Sequence, residues 1–383
     1  MLPIAVISLA LHAYIGARLL PALAAWPAAQ AGLFGLLVVS ALAMPFALGR
    51  LRQRSPRLGL ALMWLGLLSM GLFSSLLVLT LGRDALLMLA HGMAWAGPPA
   101  VAAWLDATTL AADSALAVPL LGLLVTLLGF ANARRTAAVV TVDVPIDALL
   151  AALHGFTIAQ ISDVHIGPTI RRPYMRAIVE AVNRIGADMV AVTGDLVDGG
   201  VRDLAPHVAP LAGLESTHGT FFVTGNHEYY SGAAAWVVEL QRLGVTVLQN
   251  EHVVLRHGVG EIVIAGVTDY SAGHFDAGRR SDPHAAIDGA PTGAVRVLLA
   301  HQPRSASEAQ KAGFHLQLSG HTHGGQFLPW NLFVRLQQPF TAGLHRLRDL
   351  WVYTSRGTGY WGPPKRFGAP SEITRLRLVP GPG

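Results

Sequence analysis

The sequence predicts a layered α/β domain carried behind an all-α, multi-pass membrane domain. Three observations lead there. Apolar residues make up 52% of the 383 and charged residues only 13%, against about 25% charged in an ordinary soluble protein. The imbalance is local to the first third of the chain. From about residue 138 the pattern changes to short β-rich runs alternating with helical ones, as expected for sheets covered by helices. The expected boundary falls at 136/137, with a membrane domain over 1–136 and the α/β domain over 137–383.

Residues 2–25 are apolar apart from His12 and Arg18, residues 31–49 and 58–82 carry no charge, and residues 114–133 are again apolar. A span needs about 20 apolar residues, so four transmembrane helices are expected. The first could be read as a signal peptide with Ala29-Gln30-Ala31 as its cleavage site. However, it lacks a basic leading region and is followed by three more spans, which favours an uncleaved helix. Residues 85–105 are also apolar enough to cross. His91 and the Gly97-Pro98-Pro99 break argue for an interfacial or re-entrant segment instead, since a fifth span would move the C-terminal domain to the other face. Arg50, Arg52, Arg54 and Arg57 fill the second connection and Arg134 and Arg135 follow the fourth span. Positive loops stay inside, so both termini and the C-terminal domain are expected in the cytoplasm at the inner (plasma) membrane. Arg18 is expected to snorkel to the interface.

The first 135 residues hold eight Arg, no Lys and three acids, so the net +5 belongs to them and the remainder is formally neutral. A basic face for nucleic acid is therefore not expected; membrane lipids are the expected neighbours. There is no cysteine, which excludes disulfides and thiolate metal sites. Any metal must be held by His, Asp, Glu or Asn.

In the C-terminal part, strands are expected at 137–142, 156–161, 189–192, 221–223, 245–248, 253–255, 262–266, 295–300, 316–318, 351–353 and 373–378. Helices are expected at 173–185, 233–243 and, weakened by Pro206 and Pro210, at 204–214. Residues 271–293 read as one long surface loop.

Five clusters follow strand-like runs: Asp163-Val164-His165, Gly194-Asp195, Gly225-Asn226-His227-Glu228, His301, and Gly320-His321-Thr322-His323. Open α/β sheets bind ligands at the carboxyl ends of their strands. Asp-x-His and His-x-His put two ligands on one side of an extended segment, and the glycines at 194, 225 and 320 let the backbone turn. A carboxylate that can bridge, several imidazoles and an amide oxygen suit Mn, Fe or Zn. A histidine after a strand is usually a hydrogen-bonded loop residue; five clusters in this order are not explained that way.

In this order the clusters resemble the calcineurin-like metallophosphoesterases, over about residues 155–378. The resemblance implies a four-layer αββα sandwich and a dinuclear centre. Asp163, His165 and His323 would hold the first metal, Asn226, His301 and His321 the second, and Asp195 would bridge. His227 would face the substrate and serve the leaving-group oxygen. Arg356-Gly357-Thr358-Gly359 and Pro370-Ser371-Glu372-Ile373 are similar to a bacterial branch with membrane-anchored members. The protein Ser/Thr phosphatase branch has Arg where this chain has Gly199, which disfavours phosphoprotein substrates unless Arg356, Arg171 or Arg172 supplies a clamp from elsewhere.

The chemistry expected is hydrolysis of a phosphodiester, phosphomonoester or pyrophosphate by a hydroxide activated between two metals, with His227 protonating the departing oxygen and Asp198 or Glu228 orienting its ring. Asp198 is the better candidate, because neighbours in sequence rarely face each other; read blandly, it is a turn residue before Gly199-Gly200. Four membrane helices on a hydrolase suggest a lipid-linked phosphate ester. The alternatives are a non-enzymatic metal or ligand sensor, disfavoured because every expected ligand is present, and a transporter, disfavoured because the spans are poor in polar residues.

Overall fold

The computed structural model describes residues 2–48, 56–98 and 107–381; Arg50, Arg52, Arg54, Pro99 and Asp106 lie outside the described residues. The chain divides into two compact units, Met1–Ala131 with Gly362–Phe367, and Asn132–Trp361 with Gly368–Gly383.

The first unit is helical: α1 (Leu2–Leu19), α2 (Pro27–Ala43), α3 (Pro56–Ala96) and α4 (Ala107–Arg134). All four are long and apolar enough to cross a membrane, and they are the only such helices among the described residues. Their shared core includes Ile15, Leu19, Leu33, Leu37, Leu76 and Val118. Four candidate spans are found among the described residues, as expected, and two expectations are corrected. Residues 85–96 are not a separate interfacial or re-entrant segment; they continue α3, a single helix of 41 residues that ends at Ala96, just before Gly97-Pro98. Arg18 is ion-paired rather than simply snorkelled. Its Nε donates to Asp84 Oδ2 at 2.8 Å, where the Tyr14 hydroxyl also donates at 2.6 Å. The segment 362–367, a Gly-Pro-rich stretch of the C-terminal sequence, joins this unit. Its Lys365 is buried and donates to the Gly71 carbonyl at 2.8 Å.

The second unit holds two six-stranded sheets. Its elements, in chain order, are β1 (Ala138–Ile146), β2 (Thr157–Ile161), α5 (Arg172–Asn183), β3 (Met189–Val192), α6 (Val201–Val208), β4 (Thr220–Phe222), α7 (Asn226–Ser231), α8 (Ala233–Arg242), β5 (Thr246–Val247), β6 (Glu251–His257), β7 (Gly260–Gly266), α9 (Pro283–Ile287), β8 (Val295–Leu299), α10 (Ala306–Lys311), β9 (Leu316–Ser319), α11 (Asn331–Val334), β10 (Gly343–Leu347), β11 (Leu350–Thr354) and β12 (Glu372–Pro380). The first sheet runs β1-β12-β2-β3-β4-β5 and the second β10-β11-β9-β8-β7-β6.

Side-chain alternation explains the layering. In β3, Met189 and Ala191 face the second sheet while Val190 and Val192 face helices. In β8, Val297 and Leu299 pack between the sheets and Leu298 packs outward under α9 and α10. The outer face of the first sheet is closed by α5 and α8 through Met175, Ile178, Val182, Trp236 and Leu240. The result is the expected four-layer αββα sandwich.

Three local expectations are revised. The 204–214 helix begins at Val201, tolerates Pro206 in its first turns, and ends at Val208 in a 3₁₀ turn opened by Ala209-Pro210. The 271–293 loop contains α9, whose N-terminus is capped by Asp282 accepting from the His284 and Ala285 amides. Strand β10 was not anticipated; as an edge strand half open to solvent, its Gly-Leu-His-Arg-Leu carries little β signal.

Candidate metal centre

Strands β2, β3 and β4 are mutually parallel in one sheet, and β8 and β9 in the other. Their carboxyl ends therefore share an edge within each sheet, and each is followed by one of the five clusters. The backbone there is unusual. Asp163, His165, Asp195, His321 and His323 all have φ between 51° and 70°. Non-glycine residues rarely take the left-handed region, and strain of this kind, about 1–3 kcal/mol each, concentrates at functional sites.

The glycines divide into two jobs. Gly194 makes the expected turn with φ +85°. Gly225 does not: it is extended, with φ −98° and ψ −176°. It is glycine because an added Cβ would lie 2.2 Å from Asp195 Oδ1, and at Gly320 it would lie 2.1 Å from Asp163 Oδ2. Both positions leave room for a buried carboxylate.

Asp163, His165, Asp195, Asp198, His227, His301, His321 and His323 converge at this edge. Ligand atoms of Asp163, His165 and His323 lie within 4.8 Å of one another, as do those of Asp195, His301 and His321. His165 Nε2 is 3.0 Å from His323 Nε2. His301 Nε2 is 3.1 Å from Asp195 Oδ2 and 3.2 Å from His321 Nδ1. Asp195 Oδ2 also approaches His165 Nε2 at 3.9 Å, so one carboxylate oxygen lies beside both groups. His227 stands beside it too, with Nε2 4.0 Å from the same oxygen. Asn226 Oδ1 is buried and has no hydrogen-bond partner among the described residues. A buried carbonyl oxygen left unpaired is costly, and a cation would satisfy it. The donor set of carboxylates, imidazoles and one amide oxygen fits borderline divalent metals.

Outer partners fix the rings. His301 Nδ1 donates to the Thr193 carbonyl at 2.8 Å, leaving Nε2 for the site. Asp198 Oδ1 accepts from His165 Nδ1 at 2.9 Å and from His227 Nδ1 at 2.6 Å. Asp198 is thus no simple turn residue; one oxygen orients two imidazoles. Glu228 is fully buried and points away from them. Its carboxylate accepts the backbone N–H groups of Asp195, Leu196 and Gly225 at 2.9, 2.8 and 2.6 Å, tying the β3 loop to the β4 loop. Glu228 is thus structural rather than catalytic, as expected, but its partners are not legible locally: Asp195, Leu196 and Val197 lie more than thirty residues away in sequence.

The cluster also shapes its own charges. Burial and the neighbouring Asp195 charge push the Glu228 carboxyl up to about 8. Burial opposes a charged His165, but Asp198 beside its ring outweighs that and raises it to about 9. Burial likewise opposes ionised Asp195, yet His301 and His165 hold its carboxyl well below the usual range. His321, buried beside His301, is lowered to about 3.

Two of the arginines considered as phosphate clamps, Arg356 and Arg171, have partners of their own. Arg356 Nη1 binds Glu372 Oε2 at 2.8 Å, and Arg171 Nε donates to the Pro168 carbonyl at 3.1 Å. The neighbours of His227 are aromatic: Tyr230 at 5.4 Å and Trp361 at 5.7 Å between ring centroids, with Phe275 5.5 Å beyond Tyr230. All three are about half exposed or more.

Comparison with known proteins agrees with this geometry. The profile described as "Calcineurin-like phosphoesterase" matches residues 156–325. A Bos taurus "Transmembrane protein with metallophosphoesterase domain" is 39% identical over 302 residues, covering 76% of this chain and 68% of its own length. A Danio rerio protein of the same description is 38% identical, covering 65% of this chain and 59% of its own length. An "Uncharacterized metallophosphoesterase" of Helicobacter pylori strain J99 is 42% identical, covering 57% of this chain and 59% of its own length. The chain therefore spans about three fifths of the length of the latter two, and its relatives are both bacterial and eukaryotic.

Proposed function

The chain belongs to the calcineurin-like metallophosphoesterase family and is a hydrolase of phosphoric ester bonds, and from that premise we propose that it is a membrane-anchored enzyme acting on an amphiphilic, lipid-linked phosphate ester. The observation that carries the catalytic reading is the placement of His227. Its ring is held by Asp198 through Nδ1 while Nε2 stands at the edge of both ligand groups.

Residues 1–136 serve as the membrane domain and 137–383 as the phosphoesterase domain, with the latter on the cytoplasmic side of the inner membrane. Asp163, His165 and His323 would hold one divalent cation (Mn, Fe or Zn), and Asn226, His301 and His321 a second, with Asp195 shared. Bound cations supply Lewis acidity and bring the pKa of water toward neutrality. The rest is done by the chain. Asp198 fixes the tautomer of His227, which delivers a proton from Nε2 to the departing oxygen, a contribution of roughly 10²–10⁴-fold in rate. Asp195 Oδ1, by accepting the His227 amide at 2.8 Å, sets the backbone from which that ring projects. Tyr230, Phe275 and Trp361 give an apolar leaving group a surface to lie on, which supports a lipid-linked ester over a phosphoprotein.

The test is metal-supplemented hydrolysis by the full-length protein of p-nitrophenyl mono- and diesters and of lipid pyrophosphates. Turnover should be highest on a lipid-linked substrate, and His227→Ala should lower turnover by roughly 10²–10⁴-fold with metal content unchanged by elemental analysis. Equal rates on water-soluble esters would remove the lipid assignment. Unchanged turnover in His227→Ala would remove the role given to that ring; no turnover of any ester by the metal-loaded parent would leave a metal-sensing protein.

A further inference from the structure

Arg304 has a setting that no motif in the sequence marks. It follows His301 by three residues, in the 3₁₀ turn Pro303–Ser305 that leaves β8. Three buried side chains, Gln338, Gln302 and Asp269, fix that turn. The Arg304 amide donates to Gln338 Oε1 at 3.2 Å, and Gln338 Nε2 donates to Gln302 Oε1 at 3.1 Å. Gln302 Nε2 in turn donates to both oxygens of Asp269 at 3.1 Å. Tyr270 follows Asp269, and the chain of contacts closes on itself there: the Arg304 guanidinium lies 5.1 Å over the Tyr270 ring. The Gln337 carbonyl accepts one of its N–H groups. A guanidinium has five such donors in a rigid fork, and among the described residues no carboxylate forms an ion pair with this one.

Two features put Arg304 beside the His301–His321 side of the candidate centre. Gln337 belongs to the same segment as Thr341, whose carbonyl accepts the hydroxyl of Thr322 at 2.6 Å, between His321 and His323. The Arg304 charge also reaches the cluster itself. Burial and His301 lower the His321 ring, and Arg304 adds to that lowering.

We propose that Arg304 receives a phosphoryl oxygen of the substrate and selects phosphates carrying two negative charges, hence phosphomonoesters over diesters. This deepens the reading of the centre as a phosphoesterase site and rests on it. A monoester offers three non-bridging oxygens and two charges; a diester offers two oxygens and one charge. With one oxygen facing each ligand group, the third oxygen of a monoester needs a donor of its own. In a diester that place is taken by a second alkyl or aryl group, which a guanidinium does not recognise. Arg304 presents the planar fork that matches phosphate. Its backbone is tied to a fully buried aspartate and its head rests on an aromatic face, so it loses little freedom on binding. An arginine on a solvated loop has neither support.

The test uses the full-length protein loaded with Mn, with the variants Arg304→Gln and Arg304→Lys. Calorimetric binding of inorganic phosphate is expected to weaken by about ten-fold or more in Arg304→Gln, as for the loss of a hydrogen bond to a charged group. Arg304→Lys should recover part of that, because the charge stays while the fork is lost. Phosphate bound as tightly by Arg304→Gln as by the parent overturns the proposal. In hydrolysis, the ratio of kcat/KM on p-nitrophenyl phosphate to that on bis(p-nitrophenyl) phosphate should fall by about five-fold or more in Arg304→Gln. An equal loss on both esters also overturns it, since Arg304 would then only hold the loop in place. If the parent turns over neither ester, the phosphoesterase reading fails instead, and the phosphate titration still decides whether Arg304 binds the anion.

Discussion

At the residue scale, Glu228 shows how a carboxylate inside a metal centre can be structural. It holds four buried backbone N–H groups, those of Asp195, Leu196, Val197 and Gly225, and leaving buried donors unpaired costs about 1–3 kcal/mol each. Glu228→Ala is therefore expected to destabilise the phosphoesterase unit by at least about 3 kcal/mol, seen as a lowered thermal midpoint of the metal-loaded full-length protein. A melt matching the parent would show that water replaces the carboxylate. Gly225→Ala is expected to act more narrowly. Its Cβ would fall on Asp195 Oδ1, so the shared carboxylate must move and metal content should drop by about half or more by elemental analysis. Retention of full metal content would show that the loops yield instead. The sequence made the ligand types and their order visible because each cluster is local. It did not reveal that Gly225 is a clearance position rather than a turn. Nor did it separate Asp198 from an ordinary loop acid, because its two imidazole partners are brought to it only by the fold.

At the element scale, strands were legible where both faces are buried. β3 is a continuous apolar run and β2 and β8 are mostly apolar, broken at Thr157, Gln160 and Arg296, while half-exposed β10 and the short helices α9 to α11 carry almost no period. The membrane helices were legible by length, except for where α3 stops. Its 41 residues extend about 62 Å at 1.5 Å per residue, twice the roughly 30 Å hydrocarbon thickness. A helix of this length crossing once would project from, or tilt strongly within, the bilayer, with its ends on opposite faces. Arg57→Cys and Trp95→Cys are therefore expected to react with a membrane-impermeant maleimide from opposite sides of sealed vesicles. Labelling of both from one side would disprove a single crossing. The Arg18–Asp84–Tyr14 contact ties α1 to α3, and charge-free stretches in the sequence could not show which distant acid Arg18 would find.

At the scale of the whole molecule, the first 135 residues carry the charge excess and the remainder is formally neutral. The segment 362–367 crosses that division. It was not legible, because Gly-Pro-Pro-Lys-Arg-Phe reads as an ordinary surface loop and nothing local indicates that Lys365 is buried. Metal removal should be felt by the second unit above all, since the candidate ligands come from both of its sheets. Cation bound at about 100-fold excess over its dissociation constant stabilises by about 2.7 kcal/mol. Chelation is expected to abolish hydrolysis and lower the melting transition, with both restored by adding back Mn, Fe or Zn. A transition indifferent to chelator would mean that the two sheets do not need a cation to stay together.

The single oxygen of Asp198 that receives both His165 and His227 has a further consequence. In the proposed assignment the first of these rings would be a metal ligand and the second the proton donor, so metal affinity and leaving-group preference would not be independent traits. Combining changes at 165 and 227 should give strongly non-additive effects, largely erased when Asp198 is already Asn. An engineer seeking to retune the metal would find the range of esters moving with it, and the reverse, until a second acceptor is supplied.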